Sequence, residues 1–598
     1  MCGIVGIVAA RTDARPQRAI VEGMASRLPH AGSDDTGFVV RGPAALGVRR
    51  LRVIDLETGA RPMTGDAGTV WVALDGAIYN HRELARRLSA GGHQLRTRSD
   101  AETIAHAWEM RGSDALDDLE GVFGLAVWDE KTRTLVLARD RLGLKPLYYA
   151  VLDDGLVFAS ALDAVLQHPG VSRELDLQAV SAYLAHGWVP APRTIVKGVR
   201  KLAPGHRLIY ANGEARLERW WDVRYGDGPP PVDIQGAARL GAVLDLSVRQ
   251  HLLSDVPLGV WLSGGIDSTV VALFARRHVS RLRTFAIGFE DASLDESRYA
   301  RRVASVLDAE HHEEIVGAEA AGELVSRLGD LVDEPVGDAS ILPTYLLARF
   351  AGRSITVALS GHGADELFAG SAIYQRHRLA RAPVVKRFIG AGDVDVDTRH
   401  ALWTGSFAPD EQRRLLTPDA LARLPEGPSY ADWQGLAATA PTTPWLHRVL
   451  YLDLKGALAE GGLRVIDRAA MACSVQVRAP LLDRRVVEVA AALPPTMKLR
   501  GRATKHVLRW LVRKRLPRDV VQRPHRGIAV PLARWLRDGL APLVREACDE
   551  GALGRERLLR GEVVTRLVAE HARGDADHAK RLYTLLVLVL WMRRHRMS

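Results

Sequence analysis

The 598-residue chain holds only three cysteines, Cys2, Cys473 and Cys548. So few, and so scattered, they build neither a disulfide framework nor a zinc site. Long hydrophobic runs are also missing. A membrane-spanning helix takes about 20 consecutive apolar residues. The longest apolar run here, Leu585 to Met592, is short and flanked by Arg and His, and it reads as a buried helix. The opening MCGIVGIVAA is apolar but has no basic leader and no small-residue cleavage site. No signal peptide is therefore expected, and the cytoplasm is the expected location. A net charge of +10, from 81 Lys and Arg against 71 acids, raises the question of a polyanion partner. The basic residues are dispersed and never interleaved with aromatics, so neither nucleic acid nor a membrane is expected as a partner.

What is present is the composition of a soluble globular protein, 47% hydrophobic and 25% charged, with a length suggesting roughly two to four domains. From Met1 to Asp222, short β-like runs (GIVGIVAA, GTVWVALDG, GVFGLAVWD, TLVLARD, GLVFAS) alternate with turn signals. They predict antiparallel sheets with helices such as ELARRLSAGG packed outside. VRYGDGPPPVD, residues 223–233, has three consecutive prolines and is the expected linker. From residue 234 onward the pattern changes to strand–helix alternation. ARLGAVLDLSVRQHLLS, GVWLSGG, DSTVVALFARRH, LRTFAIGF and ITVALSG predict an α/β region with a parallel sheet wound on both sides, and the chain beyond residue 400 reads as mainly helical.

Leu262-Ser263-Gly264-Gly265-Ile266-Asp267-Ser268 falls where a buried strand meets a helix. Small residues there let backbone N–H groups approach an anion, the helix N-terminus and the Ser263 and Ser268 hydroxyls add donors, and Asp267 is placed to hold Mg²⁺. A plain Gly-rich turn would look similar, and no Lys follows the glycines as in a GxxxxGK[ST] loop. With SDVPLGVWL before it, SGGIDS resembles the pyrophosphate loop of the asparagine synthetase family of ATP pyrophosphatases. TFAIGFED (284–291), DESRYARRVA (295–304), DEPVGDAS (333–340), LSGHGADELFAG (359–370), DRAAMACSVQVRAPLLD (467–483), KLRGRATKHVLR (498–509) and RPHRGIAVP (523–531) continue the resemblance along the chain in the family's order.

The resemblance implies an Ntn-type glutaminase domain at 1–222, joined through 223–233 to an ATP-pyrophosphatase-type, doubly wound synthetase domain at 234–598. It implies that a carboxylate, aspartate or an analogue, attacks ATP to give an acyl-adenylate and pyrophosphate, and that nitrogen then displaces AMP. Carried over by position, Leu262, Ser263, Gly264, Gly265, Asp267, Ser268, Ile287, Ser360 and Gly361 would hold ATP and pyrophosphate. Asp267 and Asp365 would ligate Mg²⁺, and Lys505 would stabilise transition-state charge. Cys2, next to Gly3, resembles the nucleophile of an N-terminal-nucleophile amidotransferase once Met1 is removed, its product ammonia passing internally to the second site. In ALGVRRLRVID (45–55), LDGAIYNHREL (74–84) and RSDAE (98–102), Arg49 would bind the glutamine carboxylate, Gly76 would offer an oxyanion N–H and Asp100 would hold the α-amino group. The family also implies a homodimer.

Several site positions depart from the family. Arg-Gly-Pro-Asp is here Ala31-Gly32-Ser33-Asp34, and Asn-Gly-Glu is Asp75-Gly76-Ala77. An ionised Asp75 accepts only and would repel an oxyanion, so a weak glutaminase is expected. His362 stands where the family has an acidic residue and the related β-lactam synthetases have Tyr. Glu460 stands at a family carboxylate, so a His362–Glu460 base pair is expected. Val465, Gln476 and His525 replace Lys, Glu and Lys, and around one substrate they suggest an altered acceptor or nucleophile. Three readings stay open: a glutamine- or ammonia-dependent asparagine synthetase, a specialised amide, lactam or macrolactam ligase using a primary amine, and a non-catalytic scaffold.

Overall fold

The computed structural model describes residues 3–11, 16–28, 35–58, 62–226, 233–291, 295–381, 394–424, 427–441, 444–523, 530–547, 558–595 and 597. Twelve strands in the first 219 residues pair antiparallel into two six-stranded sheets, one with Gly3–Ala9 between Ala44–Arg50 and Gly155–Ala159, the other with Gly121–Asp129 between Val70–Ile78 and Thr134–Arg139. Alternation along β1 (Gly3–Ala9) shows how they stack. Ile4 and Val8 enter a core shared with Ala126, Trp128 and Leu137 of the second sheet, while Val5 and Ile7 face the opposite layer of helices. The second sheet's other face is covered by the helices His81–Ala90 and Asp100–Arg111. Because both faces of the inner strands are buried, these strands read as almost unbroken apolar runs, whereas the edge strand Glu214–Arg219 is polar and exposed.

Beyond residue 233 a five-stranded parallel sheet runs in the order Glu310–Val316, Arg283–Phe289, Leu258–Trp261, Val357–Leu359, Gln476–Arg478. β13 (Leu258–Trp261) and β16 (Val357–Leu359) lie side by side, Leu258 opposite Val357 and Val260 opposite Leu359. Chain order reverses between them, which makes the carboxyl ends of these two strands the switch point where doubly wound sheets take ligands. One strand was not anticipated. β17 (Gln476–Arg478) completes the sheet inside the stretch read as helical, three residues held only by their parallel pairing to β16 and too short to show a period.

Of the proline-rich segment, 227–232 lies outside the described residues, and Val223 on its near side is buried in the core of the parallel-sheet region. The C-terminal helix Ala579–His595 is buried along Leu585–Val589, as its apolar run requires, and packs against the first region. Tyr183 Oη there donates to Thr584 O at 2.8 Å. No helix among the described residues is long and apolar enough to cross a membrane.

Candidate active site

A cleft of about 460 Å³ opens at the carboxyl ends of β13 and β16, lined among others by Leu262, Ser263, Gly265, Asp267, Ser268, Ile287, Ser360, Gly361, His362 and Asp365. The loop after β13 is tied internally: Ser263 N–H donates to Ser268 Oγ at 3.1 Å, and Gly265 N–H to Ser263 Oγ at 3.3 Å. Gly264 stands behind the wall with φ +72°, and a Cβ there would lie 2.5 Å from the backbone of Tyr299. Only glycine lets this loop close on the neighbouring helix.

Lys505, fully buried, reaches the same place from 243 positions further along than Leu262 in sequence. Its Nζ lies 2.5 Å from Asp267 Oδ2 and 2.6 Å from Asp365 Oδ1. Burial alone would depress this ammonium; the two carboxylates outweigh burial and raise its pKa. Its backbone is left-handed, φ 52°, at the start of the helix His506–Val512, a conformation that costs a non-glycine residue about 1 kcal/mol or more and collects at functional sites. Two carboxylates converging on one cation at the wall of the cleft offer the kind of oxygen donors that Mg²⁺ takes.

His362 borders the cleft, but not with the partner expected. Its Nδ1 lies 2.9 Å from Ser360 Oγ, and burial pushes its pKa down to about 4. Glu460 is locked elsewhere. Its Oε1 accepts from Arg139 Nη1 at 2.9 Å, and its Oε2 lies 3.2 Å from Lys201 Nζ. Burial would raise this carboxyl, yet Arg139 and Lys201 hold it down at about 2, so it is a permanent anion and no base. The expected His362–Glu460 pair does not form, because Glu460 rides on a π-helix, Asp453–Gly462, whose changed winding turns it toward the first region.

The sequence analysis also missed Glu366. It lines the cleft, and burial, with Asp365 and Asp453 nearby, pushes its carboxyl up to about 8. Its one sequence signal is its place directly after Asp365. Nor do the substituted positions gather around one substrate. Val465 is buried in the core, Gln476 lines a different cavity and accepts from Arg478 Nε, and His525 lies outside the described residues. Among the described departures, only His362 faces the cleft.

On the glutaminase side, Cys2 and residues 31–34 lie outside the described residues. A cavity of about 30 Å³ brings Gly76, Ala77 and Asp100 together. Asp100 Oδ2 accepts from Ile78 N at 3.0 Å. Gly76 has φ +147°, and a Cβ on it would lie 1.9 Å from Val122 O. Arg49 does not line this cavity; its Nη1 points to Leu28 O at 3.4 Å, and strand alternation puts Arg50 on the cavity wall instead.

Asp75 is buried, its Oδ1 3.6 Å from Lys145 Nζ, which itself lies 2.5 Å from Asp467 Oδ1. Burial raises the Asp75 carboxyl, opposed by Lys145 and reinforced by Asp467. A cavity of about 20 Å³ next to this chain of charges is lined by Val122, Lys145 and Asp467 on one side and by Ser360 and His362 on the other. His362 therefore borders both that cavity and the large cleft.

Comparisons with known proteins bear on both halves. The asparagine synthase family model matches residues 239–593, and the glutamine amidotransferase domain model matches residues 1–221. Asparagine synthetase [glutamine-hydrolyzing] 1 of Bacillus subtilis (strain 168) is 28% identical over 634 aligned residues, covering 99% of this chain and 96% of its own. A putative asparagine synthetase [glutamine-hydrolyzing] of Mycobacterium tuberculosis (strain ATCC 25618 / H37Rv) is 33% identical over 643 aligned residues, covering 99% and 97%.

Proposed function

This chain belongs to the asparagine synthetase family of ATP-dependent carbon–nitrogen ligases, and we propose that it activates a carboxylate, aspartate first among candidates, as an acyl-adenylate and then transfers nitrogen to it. The observation that carries this reading is the Lys505 ammonium held between Asp267 and Asp365 at the wall of the cleft. The Ser263–Ser268 loop would seat the pyrophosphate portion of ATP, with Ile287 beside the nucleotide. The substrate carboxylate attacks the α-phosphate, pyrophosphate leaves, and Lys505 neutralises charge accumulating on the phosphoryl oxygens. Asp267 and Asp365 would hold Mg²⁺, whose charge screens the phosphates.

Nitrogen then attacks the acyl carbon and AMP leaves. With Glu460 ionised and held away, Glu366 is the carboxyl of the cleft whose pKa is suited to taking the nitrogen's proton. His362, uncharged near neutrality, would border the entry side, where ammonia from the glutaminase half arrives through the cavity beside Lys145. Asp75 in the oxyanion position supports a glutaminase weaker than the synthetase. The specialised-ligase reading retains one supporting observation, the replacement of an acidic residue by His362 at the cleft.

ATP–pyrophosphate exchange with aspartate and Mg²⁺, followed by mass spectrometry of product from ammonium and from glutamine, tests the proposal. Exchange that falls at least about a hundredfold in Lys505→Ala, with asparagine formed faster from ammonium than from glutamine, is the expected result. Exchange only with some other carboxylate would move the assignment to a specialised ligase. Absence of exchange with every carboxylate tried would leave the scaffold reading.

A further inference from the structure

Far in sequence from the cleft residues, the first region gathers a second set of ligand-type side chains. Asp66 sits in the turn between β4 (Met63–Thr64) and β5 (Val70–Ile78). His93 follows the helix His81–Ala90, and His106 and Glu109 lie one turn apart on the helix Asp100–Arg111. One ligand atom from each of the four lies within 4.8 Å of all the others.

Three of these atoms form a nearly equilateral triangle. His93 Nδ1 and His106 Nδ1 are 3.3 Å apart, and Asp66 Oδ2 lies 3.1 Å from the first and 3.4 Å from the second. Ligand atoms about 2.0–2.1 Å from a tetrahedral Zn²⁺ are separated by about 3.3–3.4 Å along each edge. Two neutral imidazoles meeting Nδ1 to Nδ1 can otherwise share only one proton between them. We propose that Asp66, His93, His106 and Glu109 bind a zinc-class divalent cation, in a closed structural site separate from the magnesium carboxylates of the cleft.

The surroundings are built as such a site requires. His106 is fully buried, and its remote Nε2, which makes no hydrogen bond among the described residues, faces Glu102 Oε1 across 3.8 Å, so a small turn of the ring on binding a cation would bring the two together. Glu102 is itself fixed by Arg96 N–H at 2.9 Å, Thr97 N–H at 2.7 Å and the Thr97 hydroxyl at 2.5 Å. A carboxylate behind a ligating histidine sets its tautomer and orientation. Glu109 Oε1 accepts from Ala67 N–H at 3.1 Å, and a Cβ at Gly65 would come within 2.4 Å of Glu109 Oε2, so a larger residue there would push the carboxylate aside. The cation would join two separate segments, those of Asp66 and His93, to the helix that begins at Asp100, and so fix the wall of the glutaminase cavity.

The test uses the untagged full chain, stripped with chelator, reloaded with zinc or cobalt and desalted. One zinc per chain by elemental analysis, visible bands of four-coordinate cobalt and a melting temperature raised by zinc are expected. Asp66→Ala/His93→Ala, on accessible side chains, should abolish all three while leaving ATP–pyrophosphate exchange intact. Glu102→Gln should weaken zinc binding about 10- to 100-fold, and Cys2→Ser should leave it unchanged. Zinc retained at full stoichiometry in the double variant, or only trace zinc in the unaltered chain, would overturn the assignment and reduce the cluster to a hydrogen-bonded histidine pair.

Discussion

Asp75 and Glu366 are carboxyls raised by burial, one in each of the two regions. Asp75 replaces the amide donor expected beside an oxyanion, and its carboxyl is buried against Lys145. Asp75→Asn should therefore raise Cys2-dependent glutamate release about a hundred- to a thousandfold, the worth of one oxyanion donor; an unchanged rate would show that Asp75 is not what limits the glutaminase. Glu366 stands at about 8 against an ordinary value of 4.5. A raised folded-state pKa means stability that is complete below the unfolded value and lost as pH climbs through the folded one. Glu366→Gln removes that loss, so its melting temperature should exceed the parent's by a margin that grows from about pH 5 to about pH 8. Nitrogen transfer should fall while pyrophosphate exchange persists. Equal loss of both half-reactions would remove Glu366 from the role of base.

At the scale of elements, the π-helix Asp453–Gly462 decides what Glu460 does. It turns Leu458 and Gly462 toward the cleft and Glu460 toward Arg139 and Lys201. A buried anion between two buried cations cannot be removed cheaply, because the cations remain unpaired: Glu460→Gln should cost about 3–5 kcal/mol in urea unfolding. A base in the cleft would instead show normal stability and a lost nitrogen-transfer step. The switch point between β13 and β16 acts in the opposite sense, bringing Ser263, Asp267, Ser360 and Asp365 to one cleft from two loops nearly a hundred residues apart.

Across the whole molecule the two regions are joined by buried charge. Arg139, Lys145 and Lys201 come from the first region and find Glu460, Asp467 and Glu334 in the second. Within the second, Arg464 and Arg468 hold Asp333 and Glu334. Expressed alone, residues 1–222 would keep Arg139 and Lys201 with no anion to meet them, and Lys145 with Asp75 alone. That fragment should lack a cooperative thermal transition or aggregate on size-exclusion chromatography, and Arg139→Met/Lys201→Met, which leaves the Lys145–Asp75 pair in place, should restore a soluble, melting domain. A stable unaltered fragment would show that these pairs are not needed for folding.

Both sheets of the first region, the α/β alternation of the second and the small-residue loop between β13 and its helix were legible in residue order, because apolar periodicity and small residues at a strand–helix junction are local properties. Glu460 as a partner for His362, Arg49 on the glutaminase cavity and a clustering of Val465 and Gln476 around one substrate were not sound readings, since each depends on which way a side chain leaves its element. β17 was invisible for a related reason: three residues become a strand only when a neighbour supplies the hydrogen bonds. What the amino-acid sequence determined by itself was the order of the elements and the chemical types brought to each site. Only the tertiary structure decided the pairing of Lys505 with Asp267 and Asp365, the capture of Glu460 by Arg139 and Lys201, and the raised carboxyl of Glu366, because distance and desolvation between remote residues exist only after the chain has packed.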